Sequence, residues 1–255
     1  MKDAKFSVGI IGAGNVGSHL TRLFLNAGID VVICSSQKEL LNIPELSSEK
    51  IIQDLSEFSE YTDFIFFTRR DRDLNLVLPA LSKRHKMIHC SGSMDMNVFS
   101  EFDSYGVFYP LQTFRKEHHL LNSDFPVFIE ASDKDTLHVL KKLAGMITPK
   151  VFEADFETRR HLHLAGVLSS NFVNSLYAAA YEQIPDKYDA AEVLLPLMKE
   201  TLSRLDSGHP DEFQTGPAIR KDEETINKHL AMLSNHPDLQ ALYRSMSEII
   251  KKRHS

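Results

Sequence analysis

Cysteine is scarce in this chain: only Cys34 and Cys90 occur among 255 residues. Two isolated thiols, each beside a strand-like run, lack the clustered spacing of a zinc site or a disulfide framework and read as buried thiols. No metal is expected. A long basic run is also missing, and 29 Lys and Arg against 35 Asp and Glu leave a formal net charge of -6. Binding a phosphate backbone needs concentrated cations, so this balance argues against a nucleic-acid partner. No apolar stretch approaches the ~18 residues of a membrane span, and Met1 to Lys5 lead into a strand-like run without an apolar leader. The expectation is a cytoplasmic protein with no membrane partner. Internal repeats and low-complexity tracts are lacking as well.

What is present is the composition of a globular protein, with 42% hydrophobic and 25% charged residues. In the first part, short apolar runs alternate with amphipathic stretches, the pattern of parallel strands covered by helices. The runs are Phe6 to Ile11, Val31 to Cys34, Phe64 to Thr68, Met87 to Cys90, Val107 to Tyr109, Val127 to Glu130 and Val151 to Phe152. Several show no polar alternation, as expected of strands buried on both faces. After about Asp155 strand-like runs vanish. Helical patterns follow at Thr158 to Gln183, Ala190 to Leu205, Glu223 to Leu233 and Pro237 to Lys252, interrupted by an irregular segment from Asp206 to Asp222. The expected fold is α/β: a doubly wound, mostly parallel sheet over 1–155, followed by an all-helical domain over 156–255.

The most informative motif is Gly12-Ala13-Gly14-Asn15-Val16-Gly17, directly after the first strand and directly before a helix. In that context Gly12 permits a tight turn, Gly14 lets a dinucleotide diphosphate approach the backbone, and Gly17 permits close packing, with the phosphates at the positive helix end. An NAD site usually carries an acid about 20 residues further on, where it holds the ribose 2′-hydroxyl. Here Cys34-Ser35-Ser36-Gln37-Lys38 offers hydroxyls, an amide and a cation instead. Ser35, Ser36 and Lys38 suit a 2′-phosphate, so NADP is expected over NAD.

Together with Ser91-Gly92, Tyr109-Pro110-Leu111-Gln112-Thr113-Phe114, the helix His163 to Tyr177 and Thr215 to Asp222, the glycine turn makes the chain resemble a known group. It is similar to Rossmann-like proteins carrying the domain of unknown function 2520, labelled NADP oxidoreductases. The N-terminal part also resembles pyrroline-5-carboxylate reductase and coenzyme-F420-dependent NADP oxidoreductases. The C-terminal part resembles the helical domain of 6-phosphogluconate dehydrogenase relatives. The likeness spans nearly the whole chain and implies a Rossmann fold and a nicotinamide cofactor more firmly than a reaction. It departs at Tyr109, where the group often has His, and at Thr68 to Asp71, which lacks a proline common in the group.

In a doubly wound sheet the ligand lies beyond the C-terminal strand ends, which points to Thr68 beside the cofactor and to Ser91, Ser93, Gln112 and Thr113 beside a substrate. At 100° per residue, His163, Ser170, Asn174 and Tyr177 form one polar stripe within about 60° on a continuous helix, suited to a cleft or interface. Ser170 and Asn174 are therefore substrate-contact candidates, as is Arg220 in the irregular segment, whose guanidinium could grip an anion. In the dehydrogenase relatives a catalytic lysine stands one helical turn before an asparagine. The resemblance equates that asparagine with Asn171, but Val167 stands where the lysine would be. His163 becomes the candidate proton donor. The expected activity is an NADP-dependent reductase or dehydrogenase of a small polar metabolite, with an NADP-binding sensor or assembly protein as the rival. The long apolar helices suggest a homodimer.

Overall fold

The computed structural model describes residues 6–35, 43–59, 62–115 and 124–255. Among them, eight strands form one sheet: β1 (Ser7–Ile11), β2 (Asp30–Cys34), β3 (Ile51–Ile52), β4 (Phe64–Phe67), β5 (Met87–His89), β6 (Tyr105–Pro110), β7 (Val127–Ala131) and β8 (Val151–Glu153). Their order is β3-β2-β1-β4-β5-β6-β7-β8. Every pairing is parallel except β6 with β7, so the last two strands run opposite to the rest. From β1 the chain moves outward through β2 to β3 and then returns to the other side of β1 as β4. That reversal opens a crevice at the C-terminal ends of β1 and β4, where ligands of such sheets bind.

The sequence explains the central position of β4. Phe64-Ile65-Phe66-Phe67 is buried throughout, with no polar side chain to present to water. Phe64 and Phe66 join the cluster containing Phe24 and Phe108, while Ile65 and Phe67 join a second cluster with Phe99 and Phe102 on the opposite face. Phe24, Phe66 and Phe108 meet edge to face with centroids 5.4 to 5.9 Å apart. The helices of this part are α1 (Asn15–Asn26), the short α2 (Leu74–Val77), α3 (Lys134–Gly145) and α4 (Phe156–Gly166). Asp133 and Asp155 cap α3 and α4, accepting from the N–H groups of Thr136 and Thr158 at 2.8 Å.

The remaining helices are α5 (Phe172–Tyr181), α6 (Ala190–Ser203), α7 (Glu223–Met232) and α8 (Pro237–Arg253). Asp222 caps α7 by accepting from Thr225 N–H at 3.0 Å, the capping role its place before Glu223 suggests. The mostly parallel sheet followed by helices is the fold class the sequence predicts. Compact units divide at 171/172 rather than where the strands end. The helix predicted over 158–183 is not one α-helix: a π-helical turn, Val167–Asn171, separates α4 from α5. A π turn is wider than an α turn, so the 100° spacing behind the stripe of His163, Ser170, Asn174 and Tyr177 does not hold through it. Cys34 is buried and Cys90 half-buried, and neither forms a disulfide.

Candidate functional site

The glycine turn is the start of the site. Gly12 has φ +105, a conformation that side chains other than glycine rarely adopt. A Cβ on Gly17 would lie 2.1 Å from the Gly12 carbonyl oxygen and 2.5 Å from Thr68 Oγ1, so this position admits only glycine. Gly14 is the opposite case: a Cβ there meets nothing within 4 Å. Turn and packing thus fix Gly12 and Gly17, while Gly14 fronts open space at the N-terminus of α1. Gly14 is the helix N-cap and has no side chain to bond the first-turn N–H groups, and no acidic residue lies in that turn. This is the arrangement that receives an anion. Thr68, at the end of β4, locks the turn: its N–H donates to Ile11 O at 3.1 Å, and its hydroxyl lies 3.0 Å from the carbonyls of Ile11 and Gly12.

Val16 and Thr68 line a cavity of about 670 Å³ whose wall continues through Ser91, Ser93, Tyr109, Gln112, Thr113, His163, Ser170 and Asn171. That volume suits a small-molecule site. The π turn contributes Val167, Ser169, Ser170 and Asn171 to the wall. Within this lining the Thr113 and Ser170 hydroxyls lie 2.8 Å apart. Ser91 donates to Asp71 at 3.3 Å, and its hydroxyl lies 3.3 Å from that of Ser93. Tyr109, from β6, holds its hydroxyl 3.0 Å from His163 Nδ1. The same ring edge packs on Gly92, where a Cβ would sit within 2.8 Å of His163 Cγ, Cβ and Nδ1.

Beneath this wall lies a buried charge. Arg159 is fully buried, pairs with Glu130 of β7 and donates through Nη2 to Met94 O at 2.7 Å. Burial, reinforced by the Arg159 charge and opposed by the Asp95 backbone, pushes His89 down to about 3, so this histidine is neutral. The Ser91 N–H donates to His89 Nδ1 at 3.2 Å, which places the ring proton on Nε2. Burial also raises the Tyr109 phenol above its ordinary range, and the Arg159 charge opposes that rise.

Residues 7–91 match the family described as NADP oxidoreductase coenzyme F420-dependent, and residues 125–250 match the domain of unknown function DUF2520. The protein described as "putative NADP oxidoreductase BF3122 from Bacteroides fragilis" is 33% identical, with 97% of this chain and 98% of that chain covered and a TM-score of 0.88. This chain belongs to that two-domain NADP oxidoreductase family. Protein TM1727 from Thermotoga maritima shares the fold at 21% identity, 97% and 98% coverage and a TM-score of 0.71. An imine reductase from Myxococcus stipitatus in complex with NADP+ shares it at 13% identity, 96% and 93% coverage and a TM-score of 0.64. No curated protein sequence matches the chain.

Within this NADP oxidoreductase fold, the expected site residues fall into three groups. Gly12, Ala13, Gly14, Asn15, Val16, Gly17 and Thr68 sit at the switch point. Ser91, Ser93, Gln112, His163, Ser170 and Asn171 line the one cavity. Asn174 instead lines a separate cavity of about 440 Å³ with Tyr177, Tyr181, Leu195, Met198, Lys199 and Leu202. Arg220 is exposed in the second unit, between Gly216 and Asp222. Ser35 follows β2, its N–H donating to Ile52 O at 3.3 Å, whereas Ser36 and Lys38 lie outside the described residues. Among the described residues no group of three His, Cys, Asp or Glu is arranged to hold a metal, and no helix is long and apolar enough to cross a membrane. Sequence reasoning missed Asp71, His89, Glu130 and Arg159 as parts of the site. An arginine in an amphipathic helix reads as solvated, and nothing local signals that Arg159 points inward.

Proposed function

We propose that this protein is an NADP-dependent reductase or dehydrogenase of a small polar metabolite. The observation that carries this reading is a single cavity lined at one end by Val16 and Thr68 of the dinucleotide turn and at the other by the His163–Tyr109 pair. The open face of Gly14 and the uncapped start of α1 fit a dinucleotide diphosphate. The segment 12–17 holds that diphosphate, with Ser35, Ser36 and Lys38 toward the 2′-phosphate and Thr68 toward the adjoining ribose. When bound, the nicotinamide supplies a hydride, the cofactor's own chemistry. His163 gives a proton to the heteroatom of the bond being reduced. Ser91, Ser93, Gln112 and Ser170 hydrogen-bond the substrate, and Asn171 orients it beside His163.

The working unit in this reading is a homodimer in the cytoplasm. Leu197 and Leu202 of α6 are 64% and 65% exposed, and Phe172, Leu176 and Tyr177 of α5 are exposed as well. Exposed apolar side chains in this number call for cover, and in this reading a second copy supplies it.

The test follows the absorbance of reduced nicotinamide with NADPH and a panel of ketoacids, aldehydes and imines. At least one substrate is turned over, and His163→Ala lowers its rate by about 100-fold or more. Unaltered turnover in His163→Ala removes the histidine from the reaction. Tight NADPH binding with no turnover across the panel replaces the enzyme with a dinucleotide-binding sensor or assembly protein.

A further inference from the structure

We propose that Tyr109 is the proton source standing behind His163, and that buried Arg159 is the positioning residue that sets this relay. The proposal rests on the reductase reading above and adds to it the route by which the proton arrives. Its basis is the packing around one ring. The Nδ1 edge of His163 is closed by Gly92 and by the Tyr109 hydroxyl 3.0 Å away. His163 is exposed and lines the cavity, which leaves the Nε2 edge for a substrate.

The direction of the Tyr109–His163 bond follows from the charges around it. Tyr109 bonds His163 of α4 and feels the Arg159 charge, and His89 of β5 lines the same cavity. Glu130 of β7 pairs with Arg159, and Asp71 and Arg69 line the same cavity, Asp71 accepting from the Ser91 hydroxyl. His89 is neutral, which leaves Arg159 as the formal charge acting on the phenol. Burial raises the Tyr109 phenol and keeps its proton in place, with the Arg159 charge acting against that rise, so in this relay Tyr109 donates to Nδ1 and the imidazole carries its proton on Nε2. Proton transfer then balances. The substrate heteroatom, gaining an electron pair as its carbon is reduced, takes the Nε2 proton. Nδ1 takes the Tyr109 proton, the imidazole stays neutral throughout, and the phenolate left behind recovers a proton from solvent.

Arg159 also has a reason to be where it is. A guanidinium with no exposure is costly to bury, and only Glu130 among the described residues pairs with it. Its Nη2 bond to Met94 O anchors the residue directly after Ser91-Gly92-Ser93, two residues beyond the Gly92 that packs on His163. One side chain thereby holds the loop against the histidine and supplies the charge felt by the tyrosine.

The first test needs no substrate. In histidine-ring nitrogen NMR of the whole protein, with His163→Gln identifying the signals, wild-type His163 shows a proton on Nε2 and a hydrogen-bonded, unprotonated Nδ1. Tyr109→Phe removes the hydrogen-bonded signature. A protonated Nδ1 in the wild type, or an Nδ1 signal unchanged in Tyr109→Phe, overturns the relay. The second test uses a substrate from the panel. Tyr109→Phe lowers kcat by about 10-fold or more while leaving NADPH affinity unchanged, and it abolishes the alkaline limb of the kcat profile. Arg159→Met moves that limb to higher pH, and Arg159→Lys, which keeps the charge, restores it. A limb indifferent to the charge at 159, or kcat unaltered in Tyr109→Phe, contradicts the proposal. A panel without turnover would count against the reductase reading alone, because the NMR result stands by itself.

Discussion

In the sheet unit, Phe64, Phe66, Phe67 and Phe108 are 2% exposed or less, and two hydrophobic clusters cover both faces of the strands. In the helical unit, α5 and α6 contain no buried residue, and burial of apolar side chains is confined to Ala218, Ile226, Leu230 and Leu233. The first unit completes its own core and builds a cavity over it. The second displays more apolar side chain than it covers. Folding stability should therefore reside in the first unit, and assembly in the second.

Three substitutions and one titration probe this difference between the units. Phe66→Ala opens a void between Phe24 and Phe108 and should cost about 3–5 kcal/mol, read as a fall in the denaturant midpoint. A loss under 1 kcal/mol would mean that the sheet core is not the seat of stability. Gly17→Ala drives a methyl into the Gly12 carbonyl and should cost about 3 kcal/mol, with NADPH binding lost in the same variant.

The third is pH dependence, and its sign is set by His89. Folding lowers this histidine from 6.5 to about 3, so between those values the unfolded chain binds the extra proton. His89 therefore contributes full stability above pH 6.5, and that contribution falls as pH drops toward 3, by up to about 1.4 kcal/mol per pH unit. Chemical denaturation at several pH values should show this slope, and His89→Asn should remove much of it. Smallest in folding energy is Leu197→Ser on exposed α6. It should change the stability of the folded monomer by less than about 0.5 kcal/mol, yet sedimentation should report a shift from dimer to monomer. Unchanged assembly would leave that face without its proposed partner.

What could be read in the sequence follows the same division by physical cause. The glycine turn was legible because its requirements are local: a positive φ at Gly12 and no room for a side chain at Gly17. The buried strands were legible because Phe64-Ile65-Phe66-Phe67 has no polar alternation. Ser91, Ser93, Gln112 and Thr113 were placed near a cavity by the rule that ligands lie at strand C-terminal ends. The π turn escaped, since Val167-Leu168-Ser169-Ser170-Asn171 fits an α-helix as readily, and with it went the extended polar stripe. Arg159 and Glu130 escaped for another reason. Their pairing joins α4 to β7 across the fold, and no spacing along the chain encodes it.

Whether the turn after β1 holds NADP(H) is decided by titrating NADPH and NADH into the wild type and Gly14→Glu. A Cβ at Gly14 meets nothing within 4 Å, so the fold should tolerate the glutamate while its carboxylate occupies the path of the diphosphate. Wild type should bind NADPH about 10-fold or more tightly than NADH, because no acid stands at 34–38 to repel a 2′-phosphate, and Gly14→Glu should bind neither. Equal or tighter NADH binding contradicts the NADP assignment, and undiminished binding in Gly14→Glu contradicts the site itself.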